Sequence, residues 1–125
     1  MLLATETVAQ AHRDATTASV QQIAEELQGL LTRRLTAVLA AVKDGKTVTR
    51  WATGETLDIR YESEQRLRAA YEIMRLLLQF DAPETVRAWF VGLNPELDDI
   101  SPVEALRAGQ LREALSAARA FIASG

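Results

Sequence analysis

The chain has 125 residues, is 48% apolar and 25% charged, carries a formal net charge of −3 and contains no cysteine. These figures describe one globular domain, or two very small ones packed together, with enough apolar mass for a core; they exclude disulfides and thiolate metal sites. The net acidity argues against a protein that coats nucleic acid non-specifically, but from Thr32 to Arg60 six basic residues stand against three acidic ones, a local +3 that leaves −6 for the rest.

Residues 1–15 are polar, rich in Ala and Thr and weakly periodic, which predicts a mobile arm. Ser19 followed by Gln22 forms a capping box, after which Val20, Ile23, Leu27, Leu30 and Leu31 recur at helical spacing. A second helix carries Leu35, Val38, Leu39 and Val42 on one face and is broken at Lys43-Asp44-Gly45. A third, short helix turns Val48 and Trp51 inward and stops at Thr53-Gly54; Thr56 to Glu62 is a connector without clear period. The longest helix is expected from Ser63 to Phe80. Its two adjacent apolar stripes (Leu67, Ala70, Tyr71, Met74, Leu77 and Leu78 beside Ala69, Ile73, Leu76 and Phe80) call for cover on two sides, hence a central position.

Asp81-Ala82-Pro83 opens the next helix, which contains Val86, Trp89 and Phe90 and leaves through Gly92. Asn94-Pro95 is a cap followed by a first-turn proline, and Ser101-Pro102-Val103-Glu104 repeats the device as a capping box. A last helix runs from about Gln110 to Ala123 with Leu111, Leu115, Ala118 and Ile122 facing in. Alternating β-branched runs are missing throughout, so the fold class expected is all-α. Its parts are an arm (1–15), a helix-turn-helix unit (16–60) and a C-terminal helical unit (61–125).

Chemistry is harder to find. His12 stands alone in the expected arm, with no nucleophile placed beside it, and reads as a solvated histidine. Glu96, Asp98 and Asp99 lack histidine and calcium-loop spacing, so they read as acids favoured near helix N-termini rather than metal ligands. No glycine-rich phosphate loop occurs, and no acid/base or nucleophile constellation survives inspection, so the chain is expected to be no enzyme and to need no cofactor or metal. Glu72 and Arg75 interrupt the richest apolar run. The segment Met1-Leu2-Leu3-Ala4-Thr5-Glu6 lacks the basic-then-apolar order of a secretory signal, and a cytoplasmic protein is expected.

Residues 33–54 comprise two short helices, a Gly-containing turn, a small crossing residue (Ala37) and apolar anchors (Val42, Val48, Trp51), a pattern that fits a helix-turn-helix. In that motif the second helix lies in the major groove, which nominates Lys46, Thr47, Thr49 and Arg50, with Lys43 of the turn, as DNA-binding residues. The plainer alternative is that any helical hairpin needs a turn and a small crossing residue, the basic side chains then forming a solvated face.

Thr47-Val48-Thr49-Arg50-Trp51-Ala52-Thr53-Gly54-Glu55 resembles the end of an Xre-type helix-turn-helix, with its Thr-Val-x-Arg-Trp-x-x-Gly pattern. The stretch from Trp89 to Gly109, with its Asn-Pro…Leu and Pro-x-x-x-Leu elements, is similar to the C-terminal toxin-binding domain of the Xre/MbcA/ParS antitoxin family. Together the two cover most of residues 20–125. The resemblance implies a type II antitoxin that neutralises a RES-domain toxin, an NAD-consuming enzyme, by covering its active-site cleft. It also implies operator DNA binding for autoregulation and a homodimer or toxin–antitoxin hetero-oligomer. Carried over by position, the toxin-facing residues are Trp89, Asn94, Pro95, Leu97, Pro102, Leu106, Arg112, Arg119 and Phe121, with the end of the chain to Gly125 beside them. Trp89 and Leu106 have a second reading as core. A stand-alone helix-turn-helix transcriptional regulator whose C-terminal half serves dimerisation is the rival function.

Overall fold

The computed structural model describes residues 2–124, and side chains from Thr5 onward. Among the described residues it is all-α. Eight helices follow one another: α1 (Leu2–Thr17), α2 (Val20–Leu31), α3 (Arg33–Ala40), α4 (Gly45–Thr53), α5 (Tyr61–Leu77), α6 (Pro83–Val91), α7 (Pro102–Arg107) and α8 (Leu111–Ser124). A single 3-10 turn (Pro95–Leu97) lies between α6 and α7, and an isolated bridge pairs Asn94 with Ile100.

α5 is the central element: α1, α2, α3, α7 and α8 all pack against it. Its buried residues include Leu67, Ala70, Tyr71, Ile73, Met74, Leu76 and Leu77, the two stripes of the sequence. The helix starts at Tyr61 and ends at Leu77, however, and Phe80, placed in the second stripe, lies in the following turn, half exposed. One continuous apolar cluster joins residues from α1 to α8, and α3 packs directly on α7. The connector near residue 60 therefore joins parts that share one core.

The expected mobile arm is a helix. α1 lays Val8, Ala11 and Ala15, spaced three and four residues apart, toward the core, with Ala11 and Ala15 buried, and Ala18 in the bend that follows packs beside them. Polar ties secure it: Arg68 Nη1 donates to the Ala15 and Ala18 carbonyls at 2.9 and 2.8 Å, and Arg75 Nε pairs with Asp14 Oδ2 at 3.4 Å. His12 stays mostly exposed, as expected of a solvated histidine, but its Nδ1 sits 3.1 Å from Glu72 Oε1. Met1, and Gly125 at the end of the stretch placed beside the toxin, lie outside the described residues.

The joints show how local chemistry sets direction. Ser19 Oγ accepts from the Gln22 amide at 3.1 Å, the expected cap of α2. Thr32 does double duty between α2 and α3. Its amide closes on the Gln28 carbonyl, its Oγ1 accepts from the Leu35 amide, and its φ of 100° takes the strained positive-φ side of the map to make the corner. α3 turns Thr36, Ala37, Leu39 and Ala40 into the core, leaving Leu35, Val38 and Val42 at its edge, a rotated version of the predicted face.

The α3–α4 turn also differs in detail. Ala41, not Gly45, takes the left-handed conformation (φ 60°) that ends α3. Gly45 is the first residue of α4, where a Cβ would meet Arg33 Cγ at 2.8 Å; the glycine lets the Arg33 side chain cross the start of α4. Trp51 is buried and its Nε1 donates to the Asp58 carbonyl at 3.2 Å, tying α4 to the connector.

Beneath these joints, Tyr71 links α5 to α2 by donating to Glu26 Oε2 at 2.9 Å. Burial first, then the hydrogen bond and charge of Glu26, push its phenol from 10.0 up to about 12.

Candidate functional site

Two surfaces collect most of the residues that the sequence singles out. The first is the corner formed by α3, the turn and α4. Asp44 caps α4: its Oδ1 accepts from the Lys46 and Thr47 amides at 3.0 and 3.3 Å. This cap fixes the helix start, so Lys46 and Arg50, one turn apart, share the exposed face while Val48, Trp51 and Ala52 are buried. Thr47 is half-buried at the margin of that face.

Thr49 departs from expectation. Its hydroxyl lies 3.2 Å from the Gly45 carbonyl and 3.5 Å from Gln28 Oε1, so it is turned toward α2 and bonds within the fold rather than standing over a base edge. Arg50 is exposed but paired, its Nε 3.1 Å from Glu55 Oε2. Lys43 and Lys46 border a cleft together with Arg33 and Arg34, two cations the motif did not nominate although they stand side by side in the sequence.

The second surface is a groove between the 3-10 turn and α8. Trp89 forms its floor, packed edge-to-face on Phe90 with centroids 5.3 Å apart at 84° and tilted against Phe121 at 6.4 Å. Asn94, Pro95, Leu93 and Phe121 line the walls. Asn94 is the keystone of the loop. Its Oδ1 accepts from the Glu96 amide at 2.9 Å, its own amide donates to Ile100, and its carbonyl receives Leu97 and Asp99. Asp98 and Asp99 both adopt positive φ (56° and 65°), a conformation that aspartate tolerates better than most residues. The acidic pair is thus explained by the turn it makes.

Of the nine residues assigned to toxin contact, Trp89, Asn94, Pro95 and Phe121 line this groove. Leu97, Pro102 and Leu106 do not line it; they are buried in the core, Leu106 completely. Arg112 borders a separate cleft between α1, α5 and α8, beside His12, Arg68 and Glu72. Arg119 is exposed and outside the groove. The nine therefore divide between core, groove and two other places. Leu93, the most exposed large apolar residue among those described (77%), belongs to the groove and was missed: after a glycine, a lone leucine carries no periodic signal.

Among the described residues no cluster of three or more His, Asp or Glu side chains could hold a metal ion, and no helix is long and apolar enough to cross a membrane. No family model matches the chain, and neither a curated protein nor a solved structure matches it.

Proposed function

We propose that this chain is an antitoxin that neutralises a RES-type, NAD-consuming toxin by laying the α8 groove over the toxin's active-site cleft, with secondary binding of operator DNA through α4. The observation that carries the reading is the convergence of Trp89, Asn94, Pro95 and Phe121 on one concave surface. These residues come from α6, the 3-10 turn and α8, separated in sequence, and the resemblance had assigned all four to the toxin.

The mechanism is occlusion by shape. A rigid aromatic floor and the exposed Leu93 supply apolar anchors, the type of residue that dominates interface energy when fully desolvated. The paired turns at Asn94 and Asp98–Asp99 hold the rim before a partner arrives, which lowers the ordering cost of binding. Nothing in this scheme makes or breaks a bond; the toxin is inhibited because substrate has no path in.

The test is NAD turnover by a RES-domain enzyme encoded beside this chain, assayed with and without the purified protein. The wild type should suppress turnover at stoichiometric ratio. Phe121→Asp and Leu93→Asp should each weaken inhibition by about 2 kcal/mol or more, roughly thirtyfold, and Leu93→Asp, at an exposed position, should leave the helical signal and melting temperature in place. Turnover untouched by the wild type would remove the reading.

The stand-alone regulator draws support from a different observation: Lys43, Lys46, Arg33 and Arg34 share a cleft and none has an ion-pair partner among the described residues. Operator binding with no effect on any toxin would favour it.

A further inference from the structure

Arg107 ends α7, in the half of the chain that the resemblance gives to the toxin. Its Nη1 donates at 3.3 Å to the Val38 carbonyl, which also accepts from the Ala41 amide at 3.1 Å, on the last turn of α3, where the negative end of the helix dipole favours a cation. That bond uses one of the guanidinium's five donors, and the residue is exposed. Arg107 borders a cleft together with Arg34 and Lys43; those two in turn border the neighbouring cleft with Arg33 and Lys46. Five cations from three helices and a turn thus follow one edge.

None of the five has a carboxylate partner among the described residues, whereas Arg50 and Arg68 each have one and Arg75 has two. Asp44, the acid among them, is turned onto the amides of α4. On a chain of net charge −3 such an edge is a local feature, not a reflection of bulk basicity. None of the exposed large apolar side chains (Leu57, Tyr61, Phe80, Val91 and Leu93) borders these clefts. Ala37, Val38, Ala41 and Val42 line the cleft beside Arg107, but they are small side chains and the two valines are half-buried, so the edge offers no large wedge for a bilayer and no broad apolar centre for a protein interface. Point charges and forked donors without apolar anchors suit a regular array of phosphates.

We infer that this edge is a clamp for the phosphate backbone of duplex DNA, in which Arg107 of α7 holds phosphates beyond the reach of α4. The inference rests on the reading of α4 as the DNA-facing helix, and it makes the C-terminal half a part of the nucleic-acid surface. The Val38 bond orients the guanidinium at the margin of the turn, leaving its remaining donors for a phosphate.

The experiment is fluorescence anisotropy of the full chain with a labelled mixed-sequence duplex across about 50 to 200 mM salt, below the melting temperature of each variant. Each lost phosphate contact should make the slope of log K against log salt shallower by about 0.9. Arg107→Gln should show that decrement and a similar loss of affinity for every duplex sequence; Arg107→Lys, which keeps the charge, should restore the wild-type slope. Arg34→Gln should remove a similar amount, adding to the first. A wild-type slope in Arg107→Gln overturns the clamp and leaves the α4 reading standing. Failure of Arg107→Lys to restore the slope also overturns it, because the arginine then serves only as a cap on α3. No duplex binding by the wild type, or equal binding to phosphatidylserine vesicles or polyglutamate, overturns both.

Discussion

The α3–α4 corner and the α8 groove are built on opposite physical terms. The corner is polar and cationic, its helices held by short-range caps such as Asp44 on the amides of Lys46 and Thr47. Whatever it does depends on Coulomb attraction over a screening length of about 10 Å at 0.1 M salt. The groove is aromatic, with Trp89 and Phe121 in tilted contact and Leu93 open to solvent, and a partner seated there would be held by buried apolar area, which salt barely weakens. One domain therefore carries a salt-sensitive surface and a salt-insensitive one, so salt alone should tell which of them a partner uses. The two meet through the shared core and through the packing of α3 on α7.

The strongest blow falls on that shared core. Trp51→Ala removes a buried indole and leaves the Asp58 carbonyl without its donor. The expected cost is about 3–5 kcal/mol, read by urea unfolding. Because one core underlies both surfaces, duplex binding and toxin inhibition should fall together with the folded fraction. Loss of DNA contact at unchanged stability and full inhibition would show that the corner folds apart from the groove.

Next in size is the response of the core to alkali. The Tyr71 phenol is raised to about 12, so between pH 10 and 12 the unfolded chain releases a proton that the folded chain keeps. Stability is fully present below pH 10 and declines across that window, by about 2–3 kcal/mol in all. Tyr71→Phe should flatten this part of the pH profile, and phenolate absorbance should place the titration. A Tyr71 that ionises near 10 would mean that Glu26 and the surrounding core do not enclose it.

What the sequence reveals follows from the range over which each feature is decided. Ser19, Asn94-Pro95 and Ser101 set helix starts through bonds to amides two or three residues away, so they can be read from a short window. α5 is legible for the same reason, its stripes being wide and contrasted. α1 is not, because the buried residues of its contact stripe are alanines, covered mainly by α5, which look like an unstructured Ala/Thr tract. The glycine at 45 attracts the assignment of a turn, yet its role is the approach of Arg33, a long-range fact. Thr49 is nominated as a base reader by its place near the start of the second helix of the motif, and only the position of Gln28 on α2 reveals its inward bond. Leu97, Pro102 and Leu106 sit in the right stretch but beneath its surface, a distinction between residues that fill the core and residues that touch a partner. Arg107 carried no signal, since its place beside Val38 is set by the docking of α7 on α3.

Two smaller predictions sharpen the contrast between the surfaces. Arg50→Ala should weaken duplex binding by about 1–3 kcal/mol and leave NAD-turnover inhibition intact. Loss of both would reassign Arg50 to folding, which its exposure argues against.

The smallest effect expected has the opposite sign. Glu55 Oε2 holds Arg50 Nε at 3.1 Å, and both side chains are more than half exposed. In free protein such a pair is worth at most about 1 kcal/mol, but a phosphate approaching Arg50 meets the carboxylate as a competitor and as a like charge. Glu55→Gln keeps the shape and removes both, so duplex affinity should rise a few-fold at low salt and the gain should fade as salt is raised. Inhibition through the groove should not change, because no groove residue touches this pair. If Glu55→Gln weakened duplex binding, the carboxylate would be holding Arg50 in its working position rather than masking it, and the α4 face would owe its geometry to the pair.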